Sequence, residues 1–199
     1  VNYGLGDWCP PEGGADGYKT PNSLTSTAYH YTDVKILSEI AHIIGKSDDE
    51  KKYLELAEEI KNAFNNKFYN SETGTYTGEE QVGMATALYQ GLAPESEKSK
   101  IFKALLANIE QRDGLMWCGI IGTKALPHVL TDNGRTDVAY KIATERRFPS
   151  WGHWIDQGAT TLWEAWKGDT SRNHIMFGDI SAWFYEALAG INPDISSPG

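Results

Sequence analysis

Residues 23–68, SLTSTAYHYTDVKILSEIAHIIGKSDDEKKYLELAEEIKNAFNNKF, read as two helices folded back on each other. In the first, from about Ser23 to Ile44, the residues Leu24, Ala28, Tyr31, Leu37, Ile40, Ala41 and Ile44 recur at helical spacing and predict one apolar stripe. Gly45 stands where a left-handed residue closes a helix. Ser47 and Glu50 form the pattern of a capping box at the next helix start. Tyr53, Ala57, Ile60, Phe64 and Phe68 then supply a second stripe. Two amphipathic helices joined by so short a turn pack antiparallel, as a helical hairpin.

The same reading extends along the chain. It predicts helices over about 80–90, with Val82, Ala85 and Tyr89 inward, and over about 94–112, with Ile101, Leu105 and Ile109 inward. A shorter one covers about 124–130 and contains Pro127, which belongs in a first turn or at a kink. Another covers 136–146. The last runs over 178–189, where Ile180, Trp183, Phe184, Ala187, Leu188 and Ile191 follow the 3.6-residue period. No convincing β alternation interrupts these elements. The expected class is all-α, with about seven helices in hairpins. Short turns alternate with long loops, which suits stacked hairpins in a toroid whose long loops build a site on one face. Residues 1–22 read as loop, 192–199 as a flexible tail, and 1–191 as part of one domain. The chain opens on Val1 with no signal-peptide pattern and is expected to be a piece of a longer polypeptide. Its compartment, whether cytoplasm, periplasm or secreted, stays open.

Composition narrows the function. The 199 residues carry a net charge of −9 and no Lys/Arg cluster, which argues against nucleic-acid backbones as partners. No apolar run approaches the ~20 residues of a membrane span. Cys9 and Cys118 cannot form a metal-binding set; whether they pair is left open. The His residues lack H-E-x-x-H spacing, and no phosphate loop, dinucleotide fingerprint or G-x-S-x-G elbow occurs, so neither metal nor cofactor is expected.

The chain is rich in aromatics, with 7 Trp, 10 Tyr and 6 Phe. Several Trp fall in polar, Gly-rich stretches instead of helix stripes. Such residues either pack a core rim or stack on the apolar faces of sugars. The richest stretch is 148–177, read as a long irregular loop with four of the Trp. Within it, Asp156-Gln157-Gly158-Ala159-Thr160-Thr161-Leu162-Trp163-Glu164-Ala165-Trp166 sets one carboxylate between two indoles. A carboxylate that loses water in such a pocket is expected to have a raised pKa. The alternative is a surface glutamate beside packing aromatics. Gly4-Leu5-Gly6-Asp7-Trp8 offers an acceptor next to a stacking face, or a tight turn that caps helices. Asn173-His174 precedes the last helix.

Taken together, these segments resemble the C-terminal half of the catalytic domain of bacterial α-L-rhamnosidases, inverting glycoside hydrolases built on an (α/α)6 toroid. The resemblance rests on Gly6-Asp7-Trp8, Thr20-Pro21, Arg112-Asp113-Gly114, the 119–123 segment, Pro149-Ser150-Trp151-Gly152, the D-Q-G-A-T-T-x-W-E-x-W run, and Asn173-His174 with Phe177-Gly178. It implies Glu164 as general base, with Trp8 and His174 lining a rhamnose subsite and Asp7, Trp117, Trp151 and Trp154 nearby. It implies a rhamnose-containing glycan or glycoside as substrate. The family's general acid lies upstream of Gly6-Asp7-Trp8, so this chain alone is expected to be inactive. Half a toroid would also expose apolar helix faces and favour self-association. The connection from Lys167 to Arg172 is shorter than is usual in the family. Other readings are a different sugar-active α toroid, such as a polysaccharide lyase, and a helical interaction module without chemistry.

Overall fold

A computed structural model describes residues 3–12, 20–77, 80–192 and 194. The expected tail beyond Asn192 lies mostly outside the described residues, as do parts of the leading loop. The element order is α1 (Asn22–Ile43), α2 (Ser47–Phe68), β1 (Tyr69–Asn70), β2 (Thr75–Tyr76), α3 (Gln81–Tyr89), α4 (Lys98–Gln111), α5 (Ile120–Asp132), α6 (Thr136–Ala143), α7 (Trp151–Asp156) and α8 (Asp179–Trp183). No described helix is long and apolar enough to cross a membrane.

The opening hairpin forms as its sequence predicts. Gly45 takes φ +71°. The Lys46 N–H reaches back to the Ala41 carbonyl at 2.8 Å, a bond that closes the helix end. The capping box does not form: Lys46 and not Ser47 takes the N-cap position, without a side-chain cap bond, and Glu50 Oε1 instead accepts from His42 Nδ1 at 3.1 Å. The turn after α5 repeats the Gly45 device, with Gly134 at φ +75° and the Arg135 N–H on the Leu130 carbonyl at 2.7 Å.

The stripe on α1 differs from the expected one. The buried residues are Leu24, Thr25, Ala28, Tyr31, Val34, Ser38 and Ala41. Leu37, Ile40 and Ile44 are exposed and form, with Ile36 and Ile43, a second apolar row. The helix is apolar on two sides, and Thr25 and Ser38 mark the one turned inward. α3 is buried along most of its length and packs against α4, α5 and α1, which makes it the centre of the core.

Several helix boundaries shift, and α6 ends at Ala143 instead of 146. A 3-10 turn at Glu95–Glu97 precedes α4. α5 starts earlier than residue 124, so Pro127 lies inside the helix and not in its first turn. The final helix keeps α form only over α8 and passes into a π-helical turn at Phe184–Leu188. That change of phase turns Phe184, Leu188 and Ile191 outward and leaves Trp183 as the buried residue of the segment. The 148–177 stretch is not wholly irregular, because α7 lies within it, capped by the Ser150 hydroxyl accepting from the His153 N–H at 2.9 Å. A two-residue ladder, Tyr69 opposite Tyr76 and Asn70 opposite Thr75, closes the turn after α2.

Most of the tryptophans belong to the core. Trp151, Trp154, Trp163, Trp166 and Trp183 are buried. Trp166 stacks on Trp154 at 4.7 Å and on Phe177 at 4.4 Å between ring centres. Four of the five indole N–H groups are bonded inside the protein: Trp151 to the Phe177 carbonyl, Trp154 to the Trp166 carbonyl, Trp166 to the Cys118 carbonyl and Trp183 to the Thr131 hydroxyl. Composition cannot tell this use of Trp from sugar stacking. Cys9 and Cys118 are both free thiols, and burial pushes Cys9 up to about 11.

Candidate active site

The site is assembled from the chain's long connections and the first turns of two helices. α5 begins at a glycine that has no side chain with which to cap it. Asp7 supplies the cap from a distance: Oδ2 accepts the Gly119 N–H at 2.6 Å and Oδ1 the Gly122 N–H at 3.0 Å. The Trp8 carbonyl accepts the Ile120 N–H at 2.9 Å. This contact requires glycine at 119, where a Cβ would lie 2.2 Å from the Trp8 carbonyl oxygen and 2.4 Å from that of Asp7. Burial raises the Asp7 carboxyl to about 6, and the amide hydrogen bonds lower it only in part. The expected pocket-side acceptor is therefore a buried helix cap, the alternative that the sequence left open.

Anchored in this way, Trp8 stays 38% exposed and presents its indole to Glu164. The Trp8 N–H donates to Glu164 Oε1 at 3.3 Å, and the Ser171 N–H donates to Oε2 at 3.3 Å. The main chain is paired on the same strip: Glu164 N–H to the Ser171 carbonyl at 2.9 Å, and His174 N–H to the Leu162 carbonyl at 2.9 Å. A narrow two-stranded loop thus sets Glu164 and His174 side by side, despite the short connection between them.

Glu164 titrates below the ordinary carboxylate range. The Trp8 indole contributes most and then the Ser171 amide, and together they outweigh the desolvation of the carboxylate. The expectation of a raised pKa is overturned here. The aromatic residues that flank Glu164 in sequence, Trp163 and Trp166, point into the core, and Glu164 itself is half-buried among donors.

Trp8, Glu164 and His174 line one cavity of about 530 Å³, within the range of small-molecule sites. Its remaining walls are Leu5 and Gly6, the α1 residues Thr25, Ser26 and Tyr29, the α5 residues Ile120 and Ile121, and Met176. The Ser26 hydroxyl is spent on the Tyr3 carbonyl at 2.7 Å and that of Thr25 on the Asn22 carbonyl at 3.1 Å, so the α1 wall is largely apolar. Glu164 is the one carboxylate among the described lining residues. No group of residues that could hold a metal ion occurs among the described residues.

The other expected site residues lie elsewhere. Trp117 is half-buried outside this cavity: its N–H bonds Glu12, and Arg112 lies 5.0 Å over its ring. Trp151 and Trp154 sit beneath the Glu164 loop, in the aromatic core, and border a separate cavity of about 300 Å³. Sequence reasoning missed Tyr29, Ile120, Ile121, Met176 and Ser171. The first four read as helix or loop apolar residues, and Ser171 acts through its main chain, which carries no sequence signal.

A family model described as the bacterial α-L-rhamnosidase 6 hairpin glycosidase domain matches residues 1–188. An α-L-rhamnosidase of Streptomyces avermitilis is 34% identical over 201 residues, covering 96% of this chain and 19% of that protein. The crystal structure of the Streptomyces avermitilis α-L-rhamnosidase complexed with L-rhamnose superposes with a TM-score of 0.87, covering 98% of this chain and 19% of that one. The α-L-rhamnosidase structure from Dictyoglumus thermophilum gives 0.86 at 43% identity, covering 96% and 22%. The chain spans about a fifth of the length of these relatives.

Proposed function

The chain belongs to the bacterial α-L-rhamnosidase 6 hairpin glycosidase family, a family of glycoside hydrolases on an α/α toroid, and from this premise we propose that it carries the base half of an inverting α-L-rhamnosidase site. The observation that carries the reading is Glu164, ionised under two N–H donors and facing the cavity together with Trp8 and His174.

Inverting hydrolysis needs one carboxylate to deprotonate water and one carboxylic acid to protonate the leaving oxygen, roughly 6.5–9.5 Å apart. Glu164 suits the first task. Its lowered pKa keeps it ionised at neutral pH, as a base must be. It takes a proton from a water that attacks the anomeric carbon as the glycosidic C–O bond breaks. The leaving oxygen takes its proton from a second carboxyl group, which the described residues do not bring to this cavity. By the resemblance to the family that group lies upstream of Gly6-Asp7-Trp8, and on this reading residues 1–199 alone are inactive.

The neighbours divide the remaining work. Trp8 holds Glu164 and offers its ring to the sugar. His174 Nδ1 accepts the Met176 N–H at 3.4 Å, which leaves Nε2 to meet a sugar hydroxyl. Asp7 fixes Trp8 through α5 and does not itself touch the sugar. Trp117 lies outside the cavity, whereas Trp151 and Trp154 support the Glu164 loop from below. The substrate is a rhamnose-containing glycan or glycoside.

The test is hydrolysis of an aryl α-L-rhamnoside by the full-length protein and its Glu164→Ala variant. The expected result is a loss of at least about a thousandfold in the variant. Proton NMR of the wild-type reaction should show β-L-rhamnose as the first product, and added azide should restore the variant through β-rhamnosyl azide. An unimpaired variant, or α-L-rhamnose formed first, would overturn the assignment.

A further inference from the structure

Arg172 is solvent-exposed and lines neither the cavity nor the Glu164 carboxylate, yet it ties together the loop that supplies the Ser171 N–H and the Thr170 side chain to Glu164. Its guanidinium lies over the Trp163 ring, 4.7 Å from the centroid. Its Nε–H donates to the Gly168 carbonyl at 3.1 Å. Its own carbonyl accepts the Thr161 hydroxyl. Gly168, at φ +68°, lies so close to the same indole that a Cβ would come within 2.3 Å of the ring. Trp163 is 5% exposed and does not reach the cavity, so its indole serves as the surface on which the loop is folded.

The connection from Glu164 to His174 is short, and its turn has no long secondary structure to hold it. Its path is held by Gly168 on the Trp163 ring, by the Arg172 side chain on both, and by Lys167 Nζ donating to the Glu12 carbonyl at 2.8 Å. The residue next to Arg172 is Ser171, whose N–H and carbonyl are the two main-chain groups bonded to Glu164. A displacement at Arg172 is passed directly to that amide.

We propose that Arg172 is a positioning residue for Glu164: by clamping the 165–171 turn onto Trp163 it holds the Ser171 N–H against the carboxylate. The inference rests on the reading of Glu164 as the base, and the clamp can be measured without it. Loss of the clamp removes a donor from the anion, so Glu164 should titrate at higher pH and be aimed less well at water, while the cavity walls that bind sugar are untouched.

The experiment compares the full-length wild type with Arg172→Ala and Arg172→Lys by two readouts. Hydrogen exchange followed by mass spectrometry reports on the 165–172 segment. The pH dependence of kcat and KM for an aryl α-L-rhamnoside reports on Glu164. In Arg172→Ala the segment should exchange faster, the acid limb of kcat should move to higher pH, and kcat at neutral pH should fall about tenfold with KM within about twofold. Arg172→Lys keeps the charge over Trp163 but lacks the planar donor fork; it should lie between the two, and it serves if the alanine variant fails to fold. Unchanged exchange, or an acid limb that stays in place while KM rises, overturns the proposal. A wild type that hydrolyses no rhamnoside refutes the functional reading alone; faster exchange in Arg172→Ala then still upholds the clamp.

Discussion

Trp8 donates its indole N–H to Oε1 of Glu164 at 3.3 Å, joining residues 156 positions apart in the chain. This bond is the largest of the influences that favour the Glu164 anion. It makes the N-terminal segment a partner of the proposed base and not only a wall of its cavity.

Trp8→Phe keeps an aromatic face and deletes the donor. The Glu164 pKa should rise toward the ordinary carboxylate value. A base works above its pKa, so the acid limb of kcat/KM should move to higher pH while the neutral plateau falls by about tenfold. A pH–rate profile of the full-length variant on an aryl rhamnoside checks this; an unmoved limb would show that the bond has no influence on the base.

The buried Asp7 carboxyl gives a stability signature of the opposite sign. Its pKa is raised to about 6 from an unfolded value of 3.8, so the native state binds the proton more tightly. The stabilisation this brings is complete below pH ~4 and is lost as pH rises through ~6. In Asp7→Asn that dependence should vanish. The difference in unfolding free energy, variant minus wild type, should therefore increase by up to about 3 kcal/mol between pH 4 and pH 7. Urea unfolding at several pH values measures it, and a flat difference would contradict the burial of the charged form.

Gly119→Ala places a methyl group on two main-chain oxygens, those of Asp7 and Trp8. Neither is the end of a flexible side chain, so relief requires the segment to leave α5. The expected cost is roughly 3 kcal/mol, with activity lost because Trp8 leaves Glu164. Thermal unfolding and kinetics of the same variant should both respond. A fully active Gly119→Ala would show that the segment can reseat.

Residues 1–199 expressed alone should hydrolyse no rhamnoside and should self-associate through the outer row of α1, where Ile36, Ile40 and Ile44 are all exposed. Sedimentation velocity over a concentration series should show association, reduced in an Ile36→Lys, Ile40→Lys variant. A wild-type monomer at every concentration would count against an open apolar face.

Much of this was legible in the residues. Period and glycine punctuation gave the α1–α2 hairpin, since Gly45 and the Phe64–Phe68 stripe are local signals. Glu164, Trp8 and His174 were legible through the resemblance carried by their motifs. What the sequence hid was direction. The apolar positions of α1 satisfy two faces, and only Ser38 and Thr25, polar and buried, reveal which one turns inward. The Trp of the 151–166 run look like sugar platforms because a buried indole and an exposed one have the same composition. The Glu164 pKa was misjudged because its donors, a distant indole and a main-chain amide, leave no trace beside it in the sequence.

The cap that Asp7 places on α5 also bears on how the molecule reaches its final form. Helical hairpins such as α1–α2 close over short loops and can form early. The Asp7 bonds to Gly119 and Gly122 and the Trp8 bond to Glu164 span more than 100 residues each. Loop-closure entropy opposes such contacts until the intervening helices have condensed. The pocket around Glu164 is thus a late product of folding, and recovery of activity after denaturation should lag behind recovery of helical circular dichroism.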